Sequence, residues 1–62
     1  MEISIENVTR IHLSRVLEYP MDEVEEDEDR FYRTLTIETG EGALAIEISA
    51  LSQQDLEVVG DV

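Results

Sequence analysis

Residues 31–50 read FYRTLTIETGEGALAIEISA. Two segments that alternate between polar and apolar residues, 31–39 and 42–50, flank the dipeptide Gly40-Glu41. A period of two is typical of β-strands with one buried face. A two-residue loop with glycine first predicts a type II′ turn. We therefore predict an antiparallel hairpin of strands 31–39 and 42–50.

The two-residue loop also predicts which residues of the hairpin lie opposite each other. One face carries mainly apolar pairs: Ile37/Leu44, Leu35/Ile46, Arg33/Ile48 and Phe31/Ala50. The other face carries mainly polar pairs: Glu38/Ala43, Thr36/Ala45, Thr34/Glu47 and Tyr32/Ser49. Because a shift of one residue would mix the two faces, the alternation supports this register over its neighbours.

The N-terminal third of the chain shows the same period of two. Odd positions from Ile3 to Tyr19 are mostly apolar and even positions mostly polar, which predicts strand structure. Asn7 interrupts the apolar side, so a bend or bulge near it is expected to give two strands or one kinked strand. Pro20 is expected to end this region, because proline has no amide hydrogen to donate to a sheet.

The C-terminal segment predicts a short helix. Ser52-Gln53-Gln54-Asp55 is similar to a capping box, and Leu51 and Leu56 occupy the positions of a hydrophobic staple. Gly60 would then end the helix after Val59. An edge strand over residues 56–59 is the alternative.

The expected fold is therefore α+β or mostly β, in a single domain covering residues 1–62. It is a small antiparallel sheet of three to four strands with an acidic loop, residues 22–30, and a short C-terminal helix unless residues 56–59 form an edge strand. Arg15 and Arg33 fall on apolar faces, where their stems are expected to lie along the sheet while their charged ends reach neighbouring acids.

Composition excludes several classes of function. The chain has sixteen acidic residues, four arginines, no lysine and no cysteine, with a net charge of −12. Direct nucleic-acid binding is not expected, because affinity for phosphate depends on basic side chains. Disulfides and thiolate zinc sites are excluded. No signal peptide or membrane span is visible in the sequence, which predicts a cytoplasmic protein.

No catalytic or cofactor site is predicted. His12 is the one histidine and falls on the polar side of its strand, where a surface role is the simpler interpretation. The acidic run lacks the glycine and the downstream glutamate of an EF-hand loop, so a dedicated calcium site is not expected. We expect a protein that is not an enzyme and that needs no cofactor.

The strongest functional signal is the run MDEVEEDEDR at residues 21–30, with seven carboxylates between Asp22 and Asp29. Such runs are often only solubilising. Repulsion among acidic residues throughout the chain opposes compact folding. Because the charge is present despite this cost, a functional role for it is favoured. A dense array of carboxylates presents to a partner's basic groove the same negative charge that DNA phosphates would present. Three nearby aromatic residues, Tyr19, Phe31 and Tyr32, are candidate anchors for arginine side chains.

In size, acidity, absence of lysine and compact β character, the chain resembles small bacteriophage-encoded inhibitors, including anti-CRISPR and anti-restriction proteins that act as DNA mimics. The resemblance implies an inhibitor acting in the cytoplasm of a bacterial host on a basic protein surface, such as that of a CRISPR-Cas or other nucleic-acid-binding complex. The residues expected to bind the partner are the following: Asp22, Glu23, Glu25, Glu26, Asp27, Glu28, Asp29, Glu38, Glu41, Glu47 and Tyr32.

A structural or assembly protein is the alternative function. A chain of 62 residues buries little apolar surface, and self-association is one way to cover more. The predicted apolar face would then form a homodimer or larger oligomer through these residues: Leu35, Ile37, Leu44, Ile46 and Ile48.

Overall fold

The computed structural model describes residues 1–60, which form one antiparallel sheet with a short 3₁₀ helix. The elements in chain order are strands β1 (Val8–Leu13), β2 (Leu17–Glu18), β3 (Phe31–Thr39) and β4 (Gly42–Ala50), followed by the 3₁₀ helix (Gln53–Leu56). The predicted fold class is confirmed, since the sheet has four strands and almost no helix accompanies it.

Strand β3 is the centre of the sheet. It pairs with β4 along one edge, and β1 and β2 pair end to end along the other. The predicted hairpin register is confirmed at every position, from Phe31 opposite Ala50 to Thr39 opposite Gly42. Each face of the hairpin therefore carries the side chains that the alternation predicted.

The predicted turn type is wrong. A type II′ turn needs a positive φ at its first central residue, but Gly40 has none, and the positive φ, 146°, lies at Gly42. The hydroxyl of Thr39 closes the turn instead. It accepts a hydrogen bond from the Glu41 amide at 3.1 Å and donates one to the Gly42 carbonyl at 3.0 Å. Both glycines are able to adopt a positive φ, so the sequence alone does not distinguish these conformations.

The predicted interruption near Asn7 is confirmed. Asn7 has a φ of 60°, and the register with β3 shifts between Val8 and Arg10. Asparagine tolerates this left-handed conformation better than most residues. The six residues before Asn7 are not part of a strand, although they continue the alternation.

The prediction that odd-numbered residues from Ile3 to Tyr19 share one face is wrong beyond Leu13. Leu13 lies opposite Leu35 on the apolar face, whereas Leu17 lies opposite Tyr32 on the polar face. One extra residue between β1 and β2 causes this change.

Ser14 explains the change of face. Its amide donates to the Thr34 carbonyl at 2.9 Å, but the Thr34 amide donates to the Ser14 hydroxyl at 2.8 Å. The Ser14 carbonyl, which would normally accept that bond, receives the guanidinium of Arg33 instead. The chain therefore leaves the regular ladder at this point.

Arg33 does not reach toward acids as predicted. Its Nε and Nη2 donate to the Ser14 carbonyl at 3.1 and 2.7 Å, and its Nη1 donates to the Leu56 carbonyl at 2.6 Å. The side chain thus links the junction of β1 and β2 to the end of the 3₁₀ helix. Arg15, the other arginine expected to lie along the sheet, is exposed.

The helix predicted up to Val59 is shorter than expected. It ends at Leu56, and Glu57 is already extended, while the alternative strand over residues 56–59 does not form. The Ser52 hydroxyl caps the helix by accepting from the Gln54 amide at 3.4 Å. Leu56 is 6% exposed and forms the core with Ile37, but Leu51 is 55% exposed and does not share its burial as a staple residue would.

We predict that Gly42→Ala destabilises the protein by about 1–3 kcal/mol, because a β-carbon is strained at a φ of 146°. Gly40→Ala is the matched control and is expected to be neutral or slightly stabilising. Urea unfolding followed by circular dichroism measures both changes. Equal losses at the two glycines would show that the turn has a different conformation.

Arg33→Lys is expected to cost about 1–3 kcal/mol, because lysine keeps the charge but cannot hold two carbonyl groups with one planar fork. Arg15→Lys, at an exposed position, serves as the control and should leave stability unchanged. Thermal and urea unfolding of both variants test this assignment. Equal stability of the two variants would remove the structural role given to Arg33.

Candidate functional site

The acidic loop, residues 22–30, is held at both of its ends. Before it, the Pro20 carbonyl accepts a hydrogen bond from the Glu23 amide at 3.0 Å. At its end, the Arg30 amide donates to the Ala50 carbonyl at 3.0 Å, and the Arg30 carbonyl accepts from the Tyr19 amide at 2.9 Å. A further turn inside the loop joins the Glu28 amide to the Glu25 carbonyl at 3.1 Å. The loop therefore has a defined path beside the sheet.

One side chain ties the loop to β4. The Ser49 hydroxyl donates to Oδ2 of Asp29 at 2.8 Å. Ser49 lies opposite Tyr32 on the polar face of the sheet, so the bond draws the loop toward that face. Asp29 is thereby placed beside Tyr19, which directly follows β2.

Tyr19 and Tyr32 stack at this end of the polar face. Their ring centroids are 4.4 Å apart, with 24° between the ring planes. The Tyr19 hydroxyl donates to Oε1 of Glu47 at 2.8 Å. This hydrogen bond is the main reason that the pKa of Tyr19 is raised above its ordinary value, and the charges of Glu47 and Asp29 act in the same direction. The contact crosses β3 and connects the residue that follows β2 to β4.

The loop and the polar face enclose an open groove of about 630 Å³. Four of the predicted partner-binding residues line it together with three uncharged residues: Glu23, Asp27, Glu28 and Asp29, with Tyr19, Val24 and Ser49. We call this feature the acidic groove. Glu47 and Tyr32 contact the groove through Tyr19, since Glu47 accepts a hydrogen bond from the Tyr19 hydroxyl and the Tyr32 ring stacks on the Tyr19 ring.

The remaining predicted residues lie elsewhere. Glu25 and Glu26 line a second concavity of about 280 Å³ beside Met21 and Leu51. Asp22 is exposed and lines neither concavity.

Two further predicted residues lie at the opposite end of the hairpin. Glu41 is in the turn, and Glu38 is about 20 Å along β3 from Tyr32. The predicted set is therefore divided between two ends of the sheet. Phe31, the third aromatic residue near the acidic run, lies opposite Ala50 on the apolar face and so points away from the groove.

No arginine of residues 1–60 lines the acidic groove, although Arg30 ends the loop and lines the second concavity. Arg10 approaches Glu38 at 3.7 Å and Arg30 approaches Glu18 at 3.2 Å, and these are the two ion pairs within residues 1–60. Arg33 binds backbone carbonyls. No arginine in the described part of the chain forms an ion pair with a carboxylate of residues 22–29, so the negative charge of the groove is not balanced internally.

The groove has no feature of a metal centre. Across residues 1–60, no three side chains of histidine, aspartate or glutamate come together in an arrangement that could hold a metal ion. The same residues contain no helix of the length and apolar character required to cross a membrane.

Comparison with known proteins yields no match: no family model, curated protein or solved structure is similar to this chain.

Tyr19, Val24 and Ser49 are groove residues that were not among the predicted binding set. Ser49 had a usable signal, because the hairpin register places it beside Tyr32. Tyr19 was a candidate anchor because it lies near the acidic run in the sequence, but the alternation assigned it to the apolar side.

We predict that Glu47→Gln lowers the pH at which Tyr19 ionises, because the variant removes the carboxylate that raises its pKa. In the wild type the Tyr19–Glu47 contact should contribute stability below about pH 10 and lose it as pH rises through the raised pKa. Tyrosinate absorbance measures this in a Tyr32→Phe background, where Tyr19 is the only remaining tyrosine. Identical titration curves with and without Glu47 would contradict the assignment.

Proposed function

We propose that the protein is a non-enzymatic inhibitor that occupies a basic nucleic-acid-binding surface of a partner protein. The observation that carries this proposal is the acidic groove. Its carboxylates lie on a loop that is held at both ends, and within residues 1–60 they form no ion pair with an arginine. Unbalanced charge of this kind raises the local concentration of cationic ligands and accelerates their association.

The groove offers two kinds of contact to a basic side chain. Its carboxylates accept charge-assisted hydrogen bonds, which arginine makes in pairs with planar geometry. The stacked rings of Tyr19 and Tyr32 provide a flat π-surface beside them, on which a guanidinium group can lie. Because Tyr19 donates to one oxygen of Glu47, the other oxygen of that carboxylate is available to a partner.

The hydrogen bonds at the loop ends favour binding energetically. A loop already held by Ser49, Ala50 and Tyr19 loses less conformational entropy on binding than a free acidic tail. In this proposal, a preformed acidic surface competes with DNA or RNA for a basic groove of the partner protein. The proposed biological role is that of a phage-encoded inhibitor, which acts on a CRISPR-Cas or restriction complex in the bacterial cytoplasm.

One observation favours the alternative of an assembly protein. On the apolar face, Ile11 is 64% exposed, Leu44 is 47% exposed and Ile48 is 41% exposed. The 3₁₀ helix packs against β3 and β4 but leaves these side chains open to solvent. Exposed apolar patches of a few hundred Å² are typical of interaction surfaces.

The inhibitor proposal is tested with two variants of equal net charge. The groove variant replaces Glu23, Asp27 and Glu28 with the corresponding amides and keeps Asp29, whose bond to Ser49 holds the loop. The control variant replaces three exposed glutamates outside the groove with glutamine: Glu2, Glu6 and Glu57.

Wild-type protein is immobilised and exposed to bacterial lysate freed of nucleic acid, and duplex DNA is then used for elution. We expect DNA to release a basic protein, and the affinity of that protein to fall steeply with rising salt. The groove variant should bind it about tenfold more weakly or worse, while the control retains most of the affinity. Equal losses of affinity in both variants would show that net charge, and not the groove, determines binding. A captured partner that DNA does not displace would contradict the proposal.

A further inference from the structure

The outer edge of β4 has no partner within residues 1–60. β4 pairs with β3 along one edge, and no other described strand pairs with its second edge. Exposed edges are usually protected by lysine, proline or a bulge. β4 reads GALAIEISA, has none of these residues, and pairs with β3 without a register shift. Its single charged residue is Glu47.

The backbone groups at this edge can be assigned from the register. Alternate residues of a strand direct their N–H and C=O groups to the same neighbour. Thr34 exchanges hydrogen bonds with Ser14, so the even-numbered residues of β3 face the β1 edge and the odd-numbered residues face β4. The β4 residues opposite the even-numbered ones therefore direct their backbone groups outward: Ala43, Ala45, Glu47 and Ser49.

We propose that β4 pairs with β4 of a second copy of this chain. The two strands run antiparallel across a two-fold axis perpendicular to the sheet, with Ile46 opposite Ile46 of the second copy. The outward backbone groups then form the new ladder, and the two sheets become one continuous sheet. A two-fold axis in this direction keeps both apolar faces on one side and both acidic grooves on the other.

The side chains select this register among the neighbouring ones. With Ile46 on the axis, Leu44 lies opposite Ile48 of the second copy, so two exposed apolar side chains cover each other. Glu47 lies opposite Ala45, which leaves room for its carboxylate. With Glu47 on the axis, two like charges would face each other directly. With Ala45 on the axis, Ile48 would face Gly42, which has no side chain.

Charge predicts how this dimer responds to salt. Each copy has a net charge of −12, and the two Glu47 carboxylates would be diagonal neighbours about 7–8 Å apart at their α-carbons. Salt screens this repulsion, so dimerisation should strengthen as salt rises. Binding of a basic partner in the acidic groove should weaken under the same change. The two interactions are thus distinguishable in one salt series.

Disulfide trapping tests the register directly, since the chain has no cysteine of its own. Ile46→Cys places two thiols in a pair whose α-carbons are about 4.5 Å apart, within the range of disulfides. Leu44→Cys is the matched control, because its two copies would lie about 14 Å apart along the strands. Ile46→Cys should form a covalent dimer and Leu44→Cys should not. A mixture of Leu44→Cys and Ile48→Cys proteins should form the mixed dimer. Faster cross-linking through residue 44 than through residue 46 would overturn the register.

Sedimentation equilibrium tests the edge itself. The wild-type protein, at tens to hundreds of micromolar, should approach twice the monomer mass as NaCl rises from about 0.05 M to about 0.5 M. Ala45→Pro removes one outward amide hydrogen but no bond to β3, and should remain monomeric. A wild-type monomer at every salt concentration, or a dimer that survives Ala45→Pro in a folded protein, would overturn the proposal.

Discussion

The guanidinium of Arg33 is the contact on which the arrangement of the chain around β3 depends. From the central strand it binds the carbonyl of Ser14, where β1 leaves the ladder, and the carbonyl of Leu56, where the 3₁₀ helix ends. A sheet of this size has a small core, and Ile37 and Leu56 are its buried apolar residues within the described chain. Directional hydrogen bonds from one side chain therefore position segments that apolar packing alone would hold weakly.

The same contact has a consequence for the functional site. Because the Ser14 carbonyl is bound to Arg33, the residues after Ser14 pair with β3 in a register shifted by one residue. Leu17 and Tyr19 therefore lie on the polar face. Tyr19 then stacks on Tyr32 and binds Glu47. The aromatic wall of the acidic groove thus depends on an irregularity that Arg33 stabilises on the opposite face of the sheet.

Sequence patterns predicted the parts of the fold that local alternation determines. The register of β3 and β4 follows from the period of two and a two-residue loop, so all its pairs were predictable. The change of face after Leu13 and the role of Arg33 depend on hydrogen bonds between residues far apart in the chain, which alternation does not contain. The turn type was unpredictable for a different reason, because Gly40 and Gly42 are both able to adopt a positive φ. For the groove, the charges of the loop were visible in the sequence, but their association with Tyr19 and Ser49 requires the folded sheet.

We infer that basic side chains bind to the preformed acidic groove and do not respond only to overall negative charge. Titration of ¹⁵N-labelled protein with a short arginine-rich peptide, followed by amide chemical shifts, tests this claim most directly. We expect the shift changes to concentrate on the groove residues: Tyr19, Glu23, Val24, Asp27, Glu28, Asp29 and Ser49. Changes distributed equally over acidic residues outside the groove, including Glu2, Glu6 and Glu57, would contradict it.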